Sequence, residues 1–266
     1  MPLRSWISSR RPGATAPKVM LYEFASALCA MAFVIAYRVR IRGAAQVPAS
    51  GPCLLAANHE SFFDPPLIGT FVRSRHLSFV ARIGLFKFKP FAWLISALNA
   101  LSINDGGSDT AAIKEVLRRL GAGHAVLIFP EGARTPDGQL QEFKRGVALL
   151  VSRARCPVVP VAVAGCYRAW SIHDRFPKLR AMPVPFGLFW GGGQRLAVVY
   201  GKPIAHEELM KDGPDAALAR LRAEIERLSH EAAHLARTES SLAHTDSKER
   251  DAPASSFAHA ALARVR

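Results

Sequence analysis

Residues 58–66 of the chain are Asn58-His59-Glu60-Ser61-Phe62-Phe63-Asp64-Pro65-Pro66, and they directly follow an apolar, strand-like run at residues 53–57. Five positions advance about 140° around a regular helix, so His59 and Asp64 would point apart if this segment were helical. Pro65 also restricts Asp64, because a residue before proline avoids the right-handed helical region. The segment therefore predicts a tight loop that folds the carboxylate back towards the imidazole.

A histidine and a carboxylate held together in this way form a general base. Asp64 would accept the proton of His59 Nδ1 and leave Nε2 free to take a proton from a hydroxyl group. The alternative is a polar loop in which His59 only satisfies a backbone group. The spacing is common and, taken alone, leaves both interpretations open.

Two later segments add a more specific signal. Phe129-Pro130-Glu131-Gly132-Ala133-Arg134-Thr135 follows the apolar run 125–128, and further along the chain comes Val158-Val159-Pro160-Val161-Ala162-Val163. With these segments the chain resembles the glycerolipid acyltransferase family, specifically its lysophosphatidate (1-acylglycerol-3-phosphate) acyltransferases. That family carries Asn-His-x-x-x-x-Asp, Phe-Pro-Glu-Gly-x-Arg and Val-Pro-Val blocks in this order, and the resemblance covers residues 40–203.

The resemblance implies an acyltransferase that moves a fatty acyl group from acyl-CoA or acyl carrier protein to the free hydroxyl of a lysophospholipid. It favours 1-acylglycerol-3-phosphate as acceptor and phosphatidate as product. It also implies direct attack by the hydroxyl, with no metal and no cofactor. The alternatives are another lysolipid acceptor, such as a lyso-aminolipid, or a non-catalytic lipid-binding relative.

The family's motifs also suggest which side chains form the site. Catalysis would fall to His59 and Asp64, and substrate binding to Glu131, Gly132, Arg134 and Lys144. Glycine lets the backbone approach a ligand closely, and an arginine offers a planar charged fork for a phosphate. Lys144 precedes a predicted helix start, which favours a bound anion. Considered singly, Lys144 could equally be a solvated surface charge.

One position departs from the family pattern. Leu101-Ser102-Ile103-Asn104-Asp105 occupies the place of a family motif that ends in an arginine, which helps to bind the phosphate of the acceptor. An aspartate repels a phosphate, so Asp105 puts the identity of the acceptor in doubt more than the chemistry.

Composition and charge indicate one sizeable domain and an anionic partner. The chain has 266 residues, half of them apolar, and a formal net charge of +14,. No nucleic-acid-binding signature is evident, and apolar stretches alternate with basic ones, so membrane lipids are favoured over nucleic acid. The four cysteines lack paired spacing and lie in apolar runs, which predicts buried thiols in a reducing compartment,.

The chain divides into four predicted parts. Residues 1–17 form a disordered basic N-terminus, 18–37 a membrane-associated helix, 38–237 the acyltransferase domain, and 238–266 a disordered tail. Basic residues flank the apolar helix on both sides, so they give no orientation and favour a monotopic anchor. Pro12-Gly13 follows Ser9-Arg10-Arg11 where a twin-arginine export signal needs apolar residues, so the domain is expected on the cytoplasmic face of the inner membrane,. A single-span helix and a soluble core helix are the alternatives. Residues 86–95 mix lysines with large apolar residues and predict either a second membrane contact or an ordinary amphipathic helix.

Apolar strand-like runs alternate with helical patterns along the chain. This predicts an α/β fold with a mainly parallel or mixed sheet flanked by helices, preceded by the membrane-associated helix. The last predicted helix contains His230-Glu231-Ala232-Ala233-His234, which has the spacing of a zinc-peptidase helix,. Only a polar tail follows, so this motif is interpreted as a solvated helix face and no metal site is predicted.

Overall fold

A computed structural model describes residues 7, 10–103, 109–174, 177 and 195–237. Within these residues, seven strands form one sheet in the order β1-β7-β6-β2-β5-β3-β4. The strands are β1 (Arg38–Arg42), β2 (Cys53–Ala57), β3 (Leu77–Arg82), β4 (Ala100–Ile103), β5 (Ala125–Ile128), β6 (Val158–Ala164) and β7 (Arg195–Tyr200). β6 and β7 pair antiparallel, and the other neighbouring strands pair parallel, so the prediction of a mixed sheet is confirmed.

Helices cover both faces of this sheet, as the α/β prediction requires. They are α1 (Ala16–Ala36), α2 (Asp64–Phe71), α3 (Lys89–Ala97), α4 (Asp109–Gly121), α5 (Arg145–Ala154), α6 (Cys166–Ala169), α7 (His206–Leu209) and α8 (Pro214–Arg237). Short 3₁₀ turns occupy Ala44–Gln46 and Ile83–Phe86.

The strand β2 shows how the sheet divides the core. It is buried along its whole length. Its alternate side chains point to opposite faces. Leu55 packs with Phe33 of α1 and Leu67 of α2 in one cluster. Leu54 joins a second cluster with residues of α4, α5 and α8. A strand that is buried on both faces has a continuous apolar sequence, which is what the run 53–57 shows.

The helix α1 packs along the domain on one side and exposes apolar residues on the other. Val19, Tyr22 and Phe33 are buried. The opposite side presents a stripe of exposed apolar residues at Met20, Phe24, Leu28, Met31, Val34 and Ile35. The helix is long and apolar enough to cross a membrane, with a mean hydropathy of 2.0. A helix is therefore confirmed in this region, and the membrane association stays a prediction.

The residues just before α1 contact the domain, although this stretch was expected to be disordered. The backbone N–H of His76 donates to the carbonyl of Arg10 at 2.8 Å. The side chain of Arg10 lies 3.5 Å from the carboxylate of Glu23. Residues 238–266 and Asp105 lie outside the described residues, and the division of the chain into four parts stays a prediction.

Candidate active site

The two principal sequence motifs follow neighbouring strands of the sheet. Residues 58–63 leave the carboxyl end of β2, and residues 129–135 leave the carboxyl end of β5. β2 and β5 pair in parallel, so both loops emerge at the same edge. β6 lies on the other side of β2 and contributes residues 165–174 to this edge. Ligands of open α/β sheets bind at this carboxyl edge.

The loop after β2 turns earlier than the sequence suggested. The helix α2 begins at Asp64 itself, so the expectation that Pro65 keeps Asp64 out of the helix is wrong. Pro65 and Pro66 occupy the first helical turn, where a missing backbone N–H costs no hydrogen bond. The reversal comes from residues 58–63 and is closed by the N–H of Ser61, which donates to Asp64 Oδ2 at 2.7 Å.

The loop brings His59 and Asp64 into direct contact. His59 Nδ1 lies 2.7 Å from Asp64 Oδ2, and the Asp64 side chain is fully buried. The His59 side chain is 17% exposed. With Nδ1 held by the carboxylate, Nε2 is the ring nitrogen that can meet a substrate. The predicted pairing of His59 with Asp64 is thus present in the structure.

The second motif holds the imidazole in place. The ring of Phe129 stacks on the ring of His59, with centroids 3.9 Å apart and an interplanar angle of 17°. The N–H of Thr135 donates to the carbonyl of His59 at 2.8 Å. These contacts fix the His59 backbone and limit rotation of its ring.

Glu131 uses both carboxylate oxygens inside the protein. Oε1 accepts the N–H of His59 at 2.7 Å, and Oε2 accepts the N–H of Gln141 at 2.8 Å. Burial raises the pKa of Glu131, while these two hydrogen bonds act in the opposite direction. Glu131 therefore joins the loop of His59 to the loop of residues 129–141. Its predicted contact with the acceptor stays a prediction.

Gly132 and Lys144 lie against each other. Gly132 has a φ of 75°, and a Cβ at this position would lie 3.0 Å from Lys144 Cε and 3.1 Å from Lys144 Cγ. The space beside Gly132 is thus occupied by the aliphatic stem of Lys144, and the predicted approach of Gly132 to a ligand stays a prediction. The Lys144 side chain is exposed and directly precedes α5. Arg134 lies nearby over the ring of Phe62, with Cζ 3.5 Å from the ring centroid.

Two residues outside the predicted catalytic and binding set, Asn58 and Ser61, support the site through hydrogen bonds to the backbone. Asn58 forms two hydrogen bonds with the backbone of Val163 in β6: Nδ2 donates to the carbonyl at 3.0 Å, and Oδ1 accepts the N–H at 2.8 Å. Ser61 is fully buried, and its hydroxyl donates to the carbonyl of Trp170 at 2.7 Å. An asparagine at the end of an apolar run is a signal for such a brace, because its amide can pair with a neighbouring strand.

Two further groups near the dyad are held in their neutral forms. Burial, together with the nearby carboxylate of Asp64, raises the pKa of Glu60 to about 8, although Glu60 accepts the N–H of Tyr167 at 2.9 Å. Burial raises the pKa of the Cys166 thiol well above its usual value, and the carboxylates of Asp64 and Glu60 add to the effect. A neutral buried thiol is a poor nucleophile, so Cys166 is a poor candidate for covalent catalysis.

The cysteines are free thiols, and the helical histidine motif lies on α8. Cys53, Cys156 and Cys166 are buried free thiols, as predicted, whereas Cys29 is only half-buried. In the described part of the chain, no group of three or more His, Cys, Asp or Glu side chains is placed to hold a metal ion. Glu231 of the helical motif instead forms ion pairs with Arg42 and Arg227.

Comparison with known proteins identifies a matching family. The family model for acyltransferases matches residues 38–164. The chain is 32% identical over 133 residues to a 1-acyl-sn-glycerol-3-phosphate acyltransferase of Pseudomonas aeruginosa, a match that covers 48% of this chain and 50% of that protein. It is 30% identical over 132 residues to the chloroplastic enzyme BAT2 of Brassica napus, covering 48% of this chain and 38% of the relative. The chain thus spans half or less of the length of these relatives.

Two further matches extend over more of the chain. A lyso-ornithine lipid O-acyltransferase of Pseudomonas aeruginosa is 30% identical over 178 residues, which cover 65% of each chain. The crystal structure of the 1-acyl-sn-glycerophosphate acyltransferase PlsC from Thermotoga maritima superposes with a TM-score of 0.62 at 23% identity, covering 87% of this chain and 84% of that one. The structural match confirms the fold.

Proposed function

We propose that this chain is an O-acyltransferase that acylates the free hydroxyl of a lysolipid, in keeping with the match of residues 38–164 to the acyltransferase family model. The observation that carries the proposal is the 2.7 Å contact between His59 Nδ1 and Asp64 Oδ2. It lies at the carboxyl edge of the sheet and leaves Nε2 of a partly exposed imidazole for the substrate,.

The proposed reaction is a direct transfer between two bound substrates. His59 Nε2 takes the proton of the acceptor hydroxyl as its oxygen attacks the thioester carbonyl carbon. The new C–O ester bond forms, the C–S bond breaks, and the protonated imidazole returns its proton to the leaving thiolate. Asp64 stabilises the imidazolium and fixes the tautomer, and no acyl-enzyme is formed.

Basic groups at the same edge suit an anionic acceptor. Arg134 is held beside Phe62 in the His59 loop, and Lys144 precedes α5, where the helix dipole also favours an anion,. We therefore propose 1-acylglycerol-3-phosphate as the acceptor and phosphatidate as the product. The donor is a thioester of coenzyme A or of acyl carrier protein, both of which are anionic and suit a chain with a net charge of +14,.

A second acceptor class is favoured by two observations. Asp105 stands where the family carries a phosphate-binding arginine, and a carboxylate suits an amine-bearing headgroup better than a phosphate,. The relative named as a lyso-ornithine lipid O-acyltransferase matches 178 residues, more than the 133 matched by the glycerophosphate enzyme of the same organism. A lyso-aminolipid acceptor is therefore the alternative.

The proposed location is the surface of a membrane, on its cytoplasmic face. The exposed apolar stripe of α1 runs from Met20 to Ile35, and Phe88 and Trp93 in and beside α3 are 68% and 67% exposed. α1 and α3 contact each other, so these exposed apolar groups lie on or beside neighbouring helices. Because the other face of α1 packs along the domain, monotopic attachment is favoured over a spanning helix,.

The proposal is tested with the purified full chain in detergent micelles and a panel of acceptors. Acyl-CoA and acyl carrier protein thioesters are each offered with 1-acylglycerol-3-phosphate, lyso-ornithine lipid and monoacylglycerol. Formation of diacylated product that depends on His59 supports an acyltransferase, and the preferred acceptor decides between the two classes. Absence of transfer from either donor to any acceptor, with acceptor binding intact, would indicate a lipid-binding protein instead.

A further inference from the structure

The ring of Phe62 contacts Arg134 and Trp170, which come from two other loops of the site. Phe62 lies between His59 and Asp64 in the loop that connects β2 to α2, and its side chain is 40% exposed. Arg134, from the loop after β5, places its Cζ 3.5 Å from the ring centroid. Trp170, from the segment after β6, lies with its ring centroid 4.8 Å away and tilted by 44°. Phe62 thus belongs to one loop of the site and contacts the other two.

The Trp170 side of this arrangement is firmly held. The Trp170 carbonyl accepts the hydroxyl of the buried Ser61, and its indole Nε1 donates to the carbonyl of Asp174 at 3.1 Å. The ring of Phe63 also packs against the indole, with centroids 5.2 Å apart. Phe62 is therefore backed by an anchored aromatic group, and its ring has a defined orientation.

The distance to Arg134 is well within the range of a cation–π contact, which extends to about 6 Å from the ring centroid. A guanidinium seated over a ring keeps its N–H donors in its own plane, directed to the sides of the stack. The contact therefore fixes the plane of the charged group, and the N–H donors that recognise the two oxygens of a phosphate or carboxylate lie in that plane. This contact gives a reason why the large apolar side chain of Phe62 is left partly exposed beside His59 and Asp64.

We propose that Phe62 is a positioning residue for the acceptor headgroup: its ring, backed by Trp170, orients the Arg134 guanidinium for bidentate recognition of an oxyanion on the lysolipid. The proposal rests on the proposed function and deepens it, because it assigns headgroup selection to the same loop that carries the general base. The selected chemistry is an oxyanion, and Phe62 acts through Arg134 without touching the reacting atoms.

The test measures equilibrium binding of 1-acylglycerol-3-phosphate to the full chain in micelles without donor, together with steady-state kinetics. Phe62→Leu keeps an apolar side chain but removes the ring, and a cation–π contact is worth about 0.5–2 kcal/mol, so acceptor Kd and KM should rise about 2- to 30-fold. Donor KM should stay unchanged. Phe62→Tyr keeps an aromatic face and should restore acceptor binding.

Two comparisons separate this role from simple packing. Binding of monoacylglycerol, which lacks the phosphate, should be the same in wild type and Phe62→Leu. In an Arg134→Met background, Phe62→Leu should have little further effect, because the two side chains act as one unit. Leu149→Ala, which trims another apolar side chain that is 40% exposed, serves as the matched control and should leave acceptor binding unchanged.

The inference would be overturned by equal weakening of phosphate and phosphate-free acceptors, by an undiminished Phe62 effect in the Arg134→Met background, or by unchanged acceptor binding in Phe62→Leu. These results leave the acyltransferase proposal intact when the wild-type chain still transfers acyl groups. Conversely, a wild-type chain that shows the expected Phe62-dependent binding but no transfer would refute the proposed function and keep this inference.

Discussion

The proposed chemistry depends on His59 and Asp64, which we expect to act as one unit. His59→Ala removes the group that would take the acceptor proton, so kcat should fall by about 10²–10⁴-fold while donor binding survives. Asp64→Asn keeps the shape of the carboxylate but gives His59 Nδ1 the wrong partner, so it should also reduce kcat strongly. The double variant should be little worse than either single variant. Initial rates at saturating substrates, together with direct donor binding, measure all three.

The result that contradicts this picture is additivity. If the losses of His59→Ala and Asp64→Asn multiply in the double variant, the two side chains act separately. A His59→Ala protein with near wild-type turnover would make His59 a structural loop residue.

Glu60, beside the dyad, should make stability depend on pH. Burial raises its pKa from 4.5 to about 8 in the folded chain. Between these values the folded state keeps a proton that the unfolded state has lost, so the free energy of unfolding falls as pH rises from about 4.5 to about 8. Glu60→Gln can still accept the N–H of Tyr167 but cannot ionise, so it should flatten this part of the profile. Urea unfolding in detergent at pH 5 and pH 8 measures the difference, and parallel profiles would show that Glu60 does not titrate in this range.

At the scale of a secondary-structure element, α1 has one face that packs on the domain and an exposed apolar face that we propose binds the bilayer. Replacing the exposed Phe24, Leu28 and Ile35 by glutamine removes apolar area that we assign to the bilayer, while the buried face stays intact,. The variant should be released from vesicles that retain the wild-type chain, with an unchanged melting temperature. Sedimentation with vesicles at low and high salt measures this, and the wild-type chain should stay bound at high salt because apolar burial is not screened.

The buried face of the same helix provides the matched control. Phe33→Ala leaves the exposed stripe unchanged but creates a cavity in the core, so it should lower the melting temperature and leave vesicle binding of the folded protein intact,. If vesicle binding persists after loss of the exposed stripe, the protein attaches to the membrane through a surface other than α1.

At the scale of the whole molecule, Arg75 and the candidate active site lie at opposite ends of the strands. Arg75 is 2% exposed and donates to the carbonyls of Pro48, Gly51 and Gly123, close to the amino ends of β2, β3 and β5. Arg75→Met leaves these carbonyls without their cationic donor and should cost about 3 kcal/mol of unfolding free energy. Acceptor KM and kcat per folded molecule should be unchanged, because His59 lies at the carboxyl edge. Denaturant titration with parallel kinetics tests this, and a selective loss of kcat would show that the two edges are coupled.

The sequence alone determined the features that depend on local patterns. Apolar runs alternating with helical periodicity indicated the α/β class. The spacing of His59 and Asp64, together with the family motif, indicated their pairing, because only five positions separate the two residues. The helix α1 was also predictable from its run of apolar residues. Each of these signals is contained within a short segment, so its physical origin does not depend on the rest of the fold.

The tertiary structure alone decided how distant segments meet. Glu131 reaches the N–H of His59 across 72 positions, and Asn58 reaches Val163 across 105, because β5 and β6 flank β2 in the sheet. The contact of Arg134 with Phe62 and the choice of which face of α1 is buried arise in the same way. The order of strands in the sheet places these groups together, and strand order results from packing of the complete chain, which no single segment specifies.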